Sequence, residues 1–241
     1  MRRIDRNTNI FINADTITKQ YLRILLRKYR RMEIDVLELW LLMEDGNVST
    51  QSIVQIISKI NFEWASITVQ IRNCLITIIK EVYLKTRKKP HDYFDPLFEV
   101  EYQELFEALW KEYGNVTHYQ LSAELERRRA RLIEAVMSVS TKRDLREQFN
   151  VSLRSLSKLL IQAGDDATYK AFLAALKDED VSYGMLVTQR DARVCNDCRS
   201  HDGKIYSLAT LRKMLPRHYN CRCFIIPVVR RPLDTVKQGS I

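Results

Sequence analysis

Apolar residues recur every three or four positions through most of the first 180 residues, and little interrupts them. The whole chain of 241 residues holds only six glycines and five prolines. That period places apolar side chains on one stripe of an α-helix. So few breakers leave little room for long irregular stretches. A mainly α fold is therefore predicted, with a multi-helix N-terminal body over residues 1–183. A small α+β module over residues 184–241 follows it, where the pattern changes.

The expected helices can be placed by their stripes and stop signals. Asp15 has the chemistry of an N-cap, and Ile17, Tyr21, Ile24, Leu25, Tyr29, Met32, Val36, Leu39 and Trp40 form the face behind it. Asp45-Gly46-Asn47 ends that helix, and Ser49 or Thr50 caps the next, Ser52 to Tyr83, with a break expected near Asn61. This segment is rich in isoleucine, which favours strand, but its spacing and length decide for helix. Cys74 lies in its apolar run and reads as a small buried hydrophobe. The stretch from Thr86 to Pro96 holds two prolines and is the expected hinge, with a subdivision of the body there. Helix resumes with Phe98, Tyr102, Leu105, Leu109 and Trp110 on one side and ends at Gly114-Asn115.

Thr117 or Ser122 is the expected cap of the following helix. Its cations Arg127 to Arg129 and Arg131 read as a solvated face paired by Glu124 and Glu126, with a DNA-facing stripe as the alternative. Ser140 or Thr141 starts the last long helix, which Gly164 is expected to interrupt before a short helix around Tyr169 to Leu176.

From Tyr183 the chain reads as strands: Tyr183 to Gln189, Gly203 to Ser207, and Cys223 to Val229, with a short helical turn closed by Pro216 before the third. Four of the five cysteines fall here, as Cys195-x-x-Cys198 and Cys221-x-Cys223, with His218 three residues before the second pair. Two short thiol pairs and an imidazole from separated segments form a donor set for a closed tetrahedral structural site, and zinc is the expected ion. Cys195, Cys198, His218, Cys221 and Cys223 are five candidates for four places, and His201 is the weaker sixth.

Disulfides or free thiols are the alternatives. A thiol redox pair needs a helix starting behind the first cysteine, whereas Arg199 to Gly203 read as a turn into a strand. A metal-dependent nuclease would draw on His201, Asp202, His218 and Asn220, yet no second set of carboxylates accompanies them. The chain is expected not to be an enzyme.

The formal net charge is +9. Residues 185–241 carry eleven Lys/Arg and four Asp/Glu, and the other 184 residues carry 28 and 26. The positive excess therefore sits in the C-terminal module, which suits contact with double-stranded DNA or an acidic protein surface. No run of eighteen apolar residues occurs, and the N-terminus lacks the apolar stretch of a secretory signal. No membrane partner is expected, and folding in a reducing cytosol favours metal over disulfide.

The order Asp191, Arg193, Val194, Cys195, Cys198, Asp202, Gly203, Lys204, Tyr206, His218, Cys221, Arg222, Cys223, Pro227 resembles the C-terminal signature of the phage Mu F-type head-morphogenesis family, the minor capsid proteins. The resemblance covers roughly the last quarter of the chain. Here His201 stands where an apolar residue is usual, Tyr219 stands where proline is common, and Ala163-Gly164-Asp165 replaces an upstream Arg-Thr-Glu element. What it implies is a virion role. The chain would be a low-copy component of the phage head, assembled in the host cytoplasm near portal and major capsid proteins, in several copies per particle, with possible contact to packaged DNA.

Overall fold

The computed structural model describes residues 6–44, 50–87, 103–108, 121–189, 194–218, 221 and 223–228. A mainly helical N-terminal body precedes a small C-terminal sheet module, as the periodicity predicts. The body comprises α1 (Arg6–Glu44), α2 (Thr50–Thr86), a helical segment α3 (103–108), α4 (Leu121–Ser138) and α5 (Lys142–Asp178). The module comprises β1 (Tyr183–Thr188), α6 (Asn196–Ser200), β2 (Ile205–Ser207), α7 (Leu208–Met214) and β3 (Cys223–Val228).

α1, α2 and α5 pack on one another around the core. Cross-contacts set the register of α1 against α2: Tyr21 with Thr77, Lys28 with Ser66 and Asp35 with Lys59, so the two run antiparallel. Against α5, Phe11 meets Tyr169 and Phe172, and Tyr29 meets Phe149 edge-on, again antiparallel. Leu25, Tyr29, Met32, Ile56, Ile60, Trp64, Ile67, Phe149 and Phe172 are fully buried between them. Each such side chain contributes about 1.5–3 kcal/mol through loss of apolar surface to water. Cys74 is buried in this core, as expected.

Four expectations about helix ends need correcting. α1 begins at Arg6, well before Asp15, because Ile10 and Ala14 are buried and Phe11 stacks on two aromatic rings of α5. Tertiary packing there outweighs the local stop signal, and Asp15 pairs with Lys19 one turn on. α2 runs through Asn61 unbroken, and that side chain takes a hydrogen bond from Arg129 of α4. Ser122 lies inside α4 and caps nothing.

Gly164 does not interrupt α5, and the expected short helix is the continuation of the same rod. A Cβ at Gly164 would lie 2.7 Å from Thr18 Oγ1 and 3.4 Å from Ile78 Cδ1. The glycine is the place where α1 and α2 come closest to α5, not a stop.

Thr141 is the N-cap of α5, as expected: its hydroxyl accepts from the Asp144 N–H at 3.1 Å and donates to the Asp144 carboxylate at 2.7 Å. Three of the α4 arginines are paired as expected, Arg127 and Arg128 with Glu124 and Arg129 with Glu126, while Arg131 is exposed without an ion pair among the described residues. The expected signals at Asp45-Gly46-Asn47, Ser49, Pro90 to Pro96, Phe98, Tyr102, Leu109, Trp110, Gly114-Asn115 and Thr117 lie outside the described residues.

The sheet has the order β2-β1-β3, all antiparallel. Asp202-Gly203 makes the expected turn: Gly203 holds φ +79, and the Lys204 N–H bonds the His201 carbonyl at 3.1 Å. The Asp202 carboxylate also accepts from the Thr188 N–H at 2.8 Å, tying the turn to the end of β1. A Cβ at Gly184 would come within 2.6 Å of Ile225 on the neighbouring strand and 2.9 Å of Leu211 on α7, so both side chains close over β1 at this point. Gly184→Ala is expected to destabilise the module by about 1–3 kcal/mol through overpacking, read as a lowered unfolding midpoint in a denaturant titration.

Candidate metal centre

Each end of the cluster is built from residues three apart. Cys195 is the N-cap of α6, and its sulfur accepts the Cys198 N–H at 3.3 Å. The residues after Cys195 thus begin a one-turn helix, where a plain turn into a strand was expected. One helical turn places the Cys195 and Cys198 sulfurs side by side. On the opposite side, His218 and Cys221 stand before β3, and Cys223 is its first residue.

His218 Nε2 lies 3.2 Å from the Cys195 sulfur and 3.0 Å from that of Cys198. The Cys198 and Cys221 sulfurs are 4.0 Å apart. Two overlapping triads result, Cys195–Cys198–His218 and Cys198–Cys221–Cys223, each with ligand atoms within 4.8 Å of one another. Cys198 belongs to both. The five residues singled out by the sequence are therefore brought together and could hold a metal ion. His201 is not drawn in: its Nδ1 sits 2.5 Å from the Tyr206 hydroxyl on β2.

The thiols differ in character. The Cys195 thiol is held below its ordinary range, first by the Cys198 N–H and then by Cys198 and the nearby imidazole. Cys221 is lowered to about 5, first by a hydrogen bond from Cys223 and, against its burial, by N–H groups of Arg217 and Cys223. Burial pushes Cys198 up to about 12, with the Cys221 charge adding to it. Cys223 is raised strongly because it donates to Cys221 and is buried.

Three supports hold this arrangement, and the sequence reading missed all three. Arg217 forks onto both oxygens of Asp197, at 2.8 and 2.7 Å, which ties the His218 segment to α6. That pair depresses the Asp197 carboxyl. The buried Tyr169 hydroxyl of α5 donates to the Cys223 carbonyl at 2.6 Å, pinning the start of β3 to the helical body. Arg199 bonds the Val194 carbonyl at 3.2 Å, bracing the entry to α6. Only Arg217 and Asp197 carried a signal, as opposite charges flanking the two ligand pairs. Tyr169 carried none, being 54 residues from its partner.

Tyr169→Phe leaves the Cys223 carbonyl without this donor. The expected cost is about 1–3 kcal/mol for an unsatisfied buried acceptor, seen as faster amide hydrogen exchange in β3 than in α2.

Asn220 and Arg222, which also figured in the sequence reading, lie outside the described residues. No helix among the described residues is long and apolar enough to cross a membrane. Comparison of the chain with protein-family models, with curated proteins and with solved structures finds no match.

Proposed function

We propose that this chain is a zinc-stabilised nucleic-acid-binding protein, whose C-terminal module is stapled by one structural zinc. The observation that carries the metal reading is the meeting of two residue pairs of spacing three, Cys195/Cys198 and His218/Cys221, around one point. Three thiolates and an imidazole suit zinc better than harder cations. Zinc–sulfur bonds of about 2.3 Å put tetrahedral sulfurs roughly 3.8 Å apart, close to the 4.0 Å between Cys198 and Cys221. Cys195, Cys198, His218 and Cys221 are the four ligands on this reading. Cys223, inside the strand, is the fifth thiol and donates to Cys221. Such a closed site contributes structure and leaves no open position for substrate.

The partner follows from charge. A net charge of +9 favours a polyanion, and sequence-independent contact with nucleic acid runs through Lys and Arg on phosphates. A second reading is a minor capsid protein of a phage head, beside portal and major capsid proteins. It is favoured by the residue order from Asp191 to Pro227, which is far more specific than either cysteine pair alone. Cryo-EM of assembling particles would reveal the chain beside the portal if that reading holds, and its absence from such particles would end it.

Elemental analysis of protein purified without chelators tests the metal. About one zinc per chain is expected, retained in Cys223→Ser and lost in Cys221→Ser. Zinc-free wild-type protein with a folded module would refute the staple, and equal loss in both variants would refute the ligand set.

A further inference from the structure

We infer that the nucleic-acid contact lies on the outer face of α5. Lys142, Arg143, Arg146, Arg154 and Lys158 are all exposed on this helix. Their spacing, with Asn150 between, follows the three- and four-residue step that keeps side chains on one face. At a rise of about 1.5 Å per residue the stripe runs roughly 24 Å. At its start Lys142, Arg143, Arg146 and Asn150, with the carboxylate of Glu147, line an open recess of about 420 Å³.

These cations differ in pairing from many on the neighbouring helices; Arg23, Arg27 and Arg31 of α1 are likewise exposed and without an ion pair among the described residues, but on α5 the row also borders the open recess. On α4, Arg127, Arg128 and Arg129 are matched by Glu124 and Glu126. On α1 and α2, Lys19, Arg30, Lys59 and Lys85 have carboxylate partners at 3.3 Å or less. None of the five on α5 has an ion-pair partner among the described residues. Lys142 with Arg146, and Arg154 with Lys158, are like charges four apart, a spacing that is mildly destabilising on a helix. A face needed only for solubility is served equally well by the alternating signs seen on α4. A row of unmatched cations instead suits a row of phosphates, which would remove that repulsion. Asp144, the acid of the first turn, is engaged by the Thr141 cap.

Among the described cations of the module, at least two are engaged. Arg217 is committed to Asp197 and Arg199 to a backbone carbonyl. The even balance of 28 cations and 26 anions over the first 184 residues concealed the stripe, because a net count does not resolve faces.

This inference rests on the nucleic-acid reading above and deepens it. The test uses the full zinc-loaded chain and a labelled DNA duplex of about 30 base pairs, with affinity followed across roughly 50–200 mM salt. Five phosphate contacts predict a slope of about −4.5 in log affinity against log salt. The exposed triple variant Arg146→Glu, Arg154→Glu, Lys158→Glu should bind at least about ten-fold more weakly and lose about three units of slope. Zinc content and helicity should match wild type, which separates lost binding from lost folding.

Lys204→Glu with Lys213→Glu serves as the module control. Binding lost in that control but unchanged in the α5 variant would overturn the inference and leave the nucleic-acid reading standing. No duplex binding by wild type at low salt would overturn both, including where the chain captures a polyglutamate peptide instead.

Discussion

Replacing Cys198 with serine is expected to lower bound zinc from one per chain to near zero and to melt the C-terminal module while the helical body stays folded. Cys198 is the residue common to both triads, in contact with His218 at 3.0 Å and Cys221 at 4.0 Å. Without it the two ligand pairs have no shared centre. The module then rests on strands of six, three and six residues, a sheet too small to be stable by itself. A structural zinc contributes about 10–16 kcal/mol of apparent folding free energy in peptide systems, which is larger than any other single interaction in this module.

Hydrogen exchange checks the separation. Amides of β1 and β3 should lose protection in Cys198→Ser, while those of the α2 core exchange as in wild type. Wild-type protection in β3 with zinc absent would show that the module does not depend on metal.

Acid should act in the same direction. Ligation needs thiolates and a neutral imidazole, so affinity falls as pH falls. Cysteine thiols, with an ordinary pKa of about 8.5, hold most of their protons at neutral pH in the metal-free chain and must release them on loading. Zinc affinity should therefore keep rising with pH through the neutral range, with proton release measurable in weakly buffered solution. A pH-independent affinity between about 6 and 8 would contradict thiolate ligation.

How much of this could be read in advance depends on the range of each interaction. The metal donors were legible because their spacing is local: Cys195 with Cys198 and His218 with Cys221 each fit within one turn. The Thr141 cap and the Asp202-Gly203 turn were legible for the same reason. The start of α1 was not, since its first turns form only because Phe11 finds Tyr169 and Phe172 more than 150 residues away. The Tyr169 clamp on Cys223 was hidden likewise. Charge is a different case. A net count along the chain cannot distinguish the paired arginines of α4 from the unpaired cations of α5, because pairing depends on which face each side chain occupies.

Gly164 shows how one residue can carry opposite signals. In a helix interior glycine costs about 1 kcal/mol relative to alanine, so Gly164→Ala would stabilise α5 if nothing stood nearby. Yet the new methyl would sit 2.7 Å from Thr18 Oγ1 and 3.3 Å from Thr18 Cγ2. The hydroxyl is not free to move aside at no cost, since it donates to the Ala14 carbonyl at 3.0 Å inside the packed interface. The clash should win, with Gly164→Ala destabilising the body by about 1–3 kcal/mol.

Removing the obstacle should reverse the sign. In a Thr18→Ala background both offending atoms are gone, and the nearest remaining contact, Ile78 Cδ1 at 3.4 Å, is an ordinary one. There Gly164→Ala should gain up to about 1 kcal/mol from helix propensity. The coupling free energy from the four proteins of this double-mutant cycle should therefore be about 1–4 kcal/mol, as for residues in direct contact. Denaturant titration gives it directly. Additive effects of the two substitutions would mean that α1 and α5 do not cross at Gly164, and a stabilising Gly164→Ala in the wild-type background would mean the same.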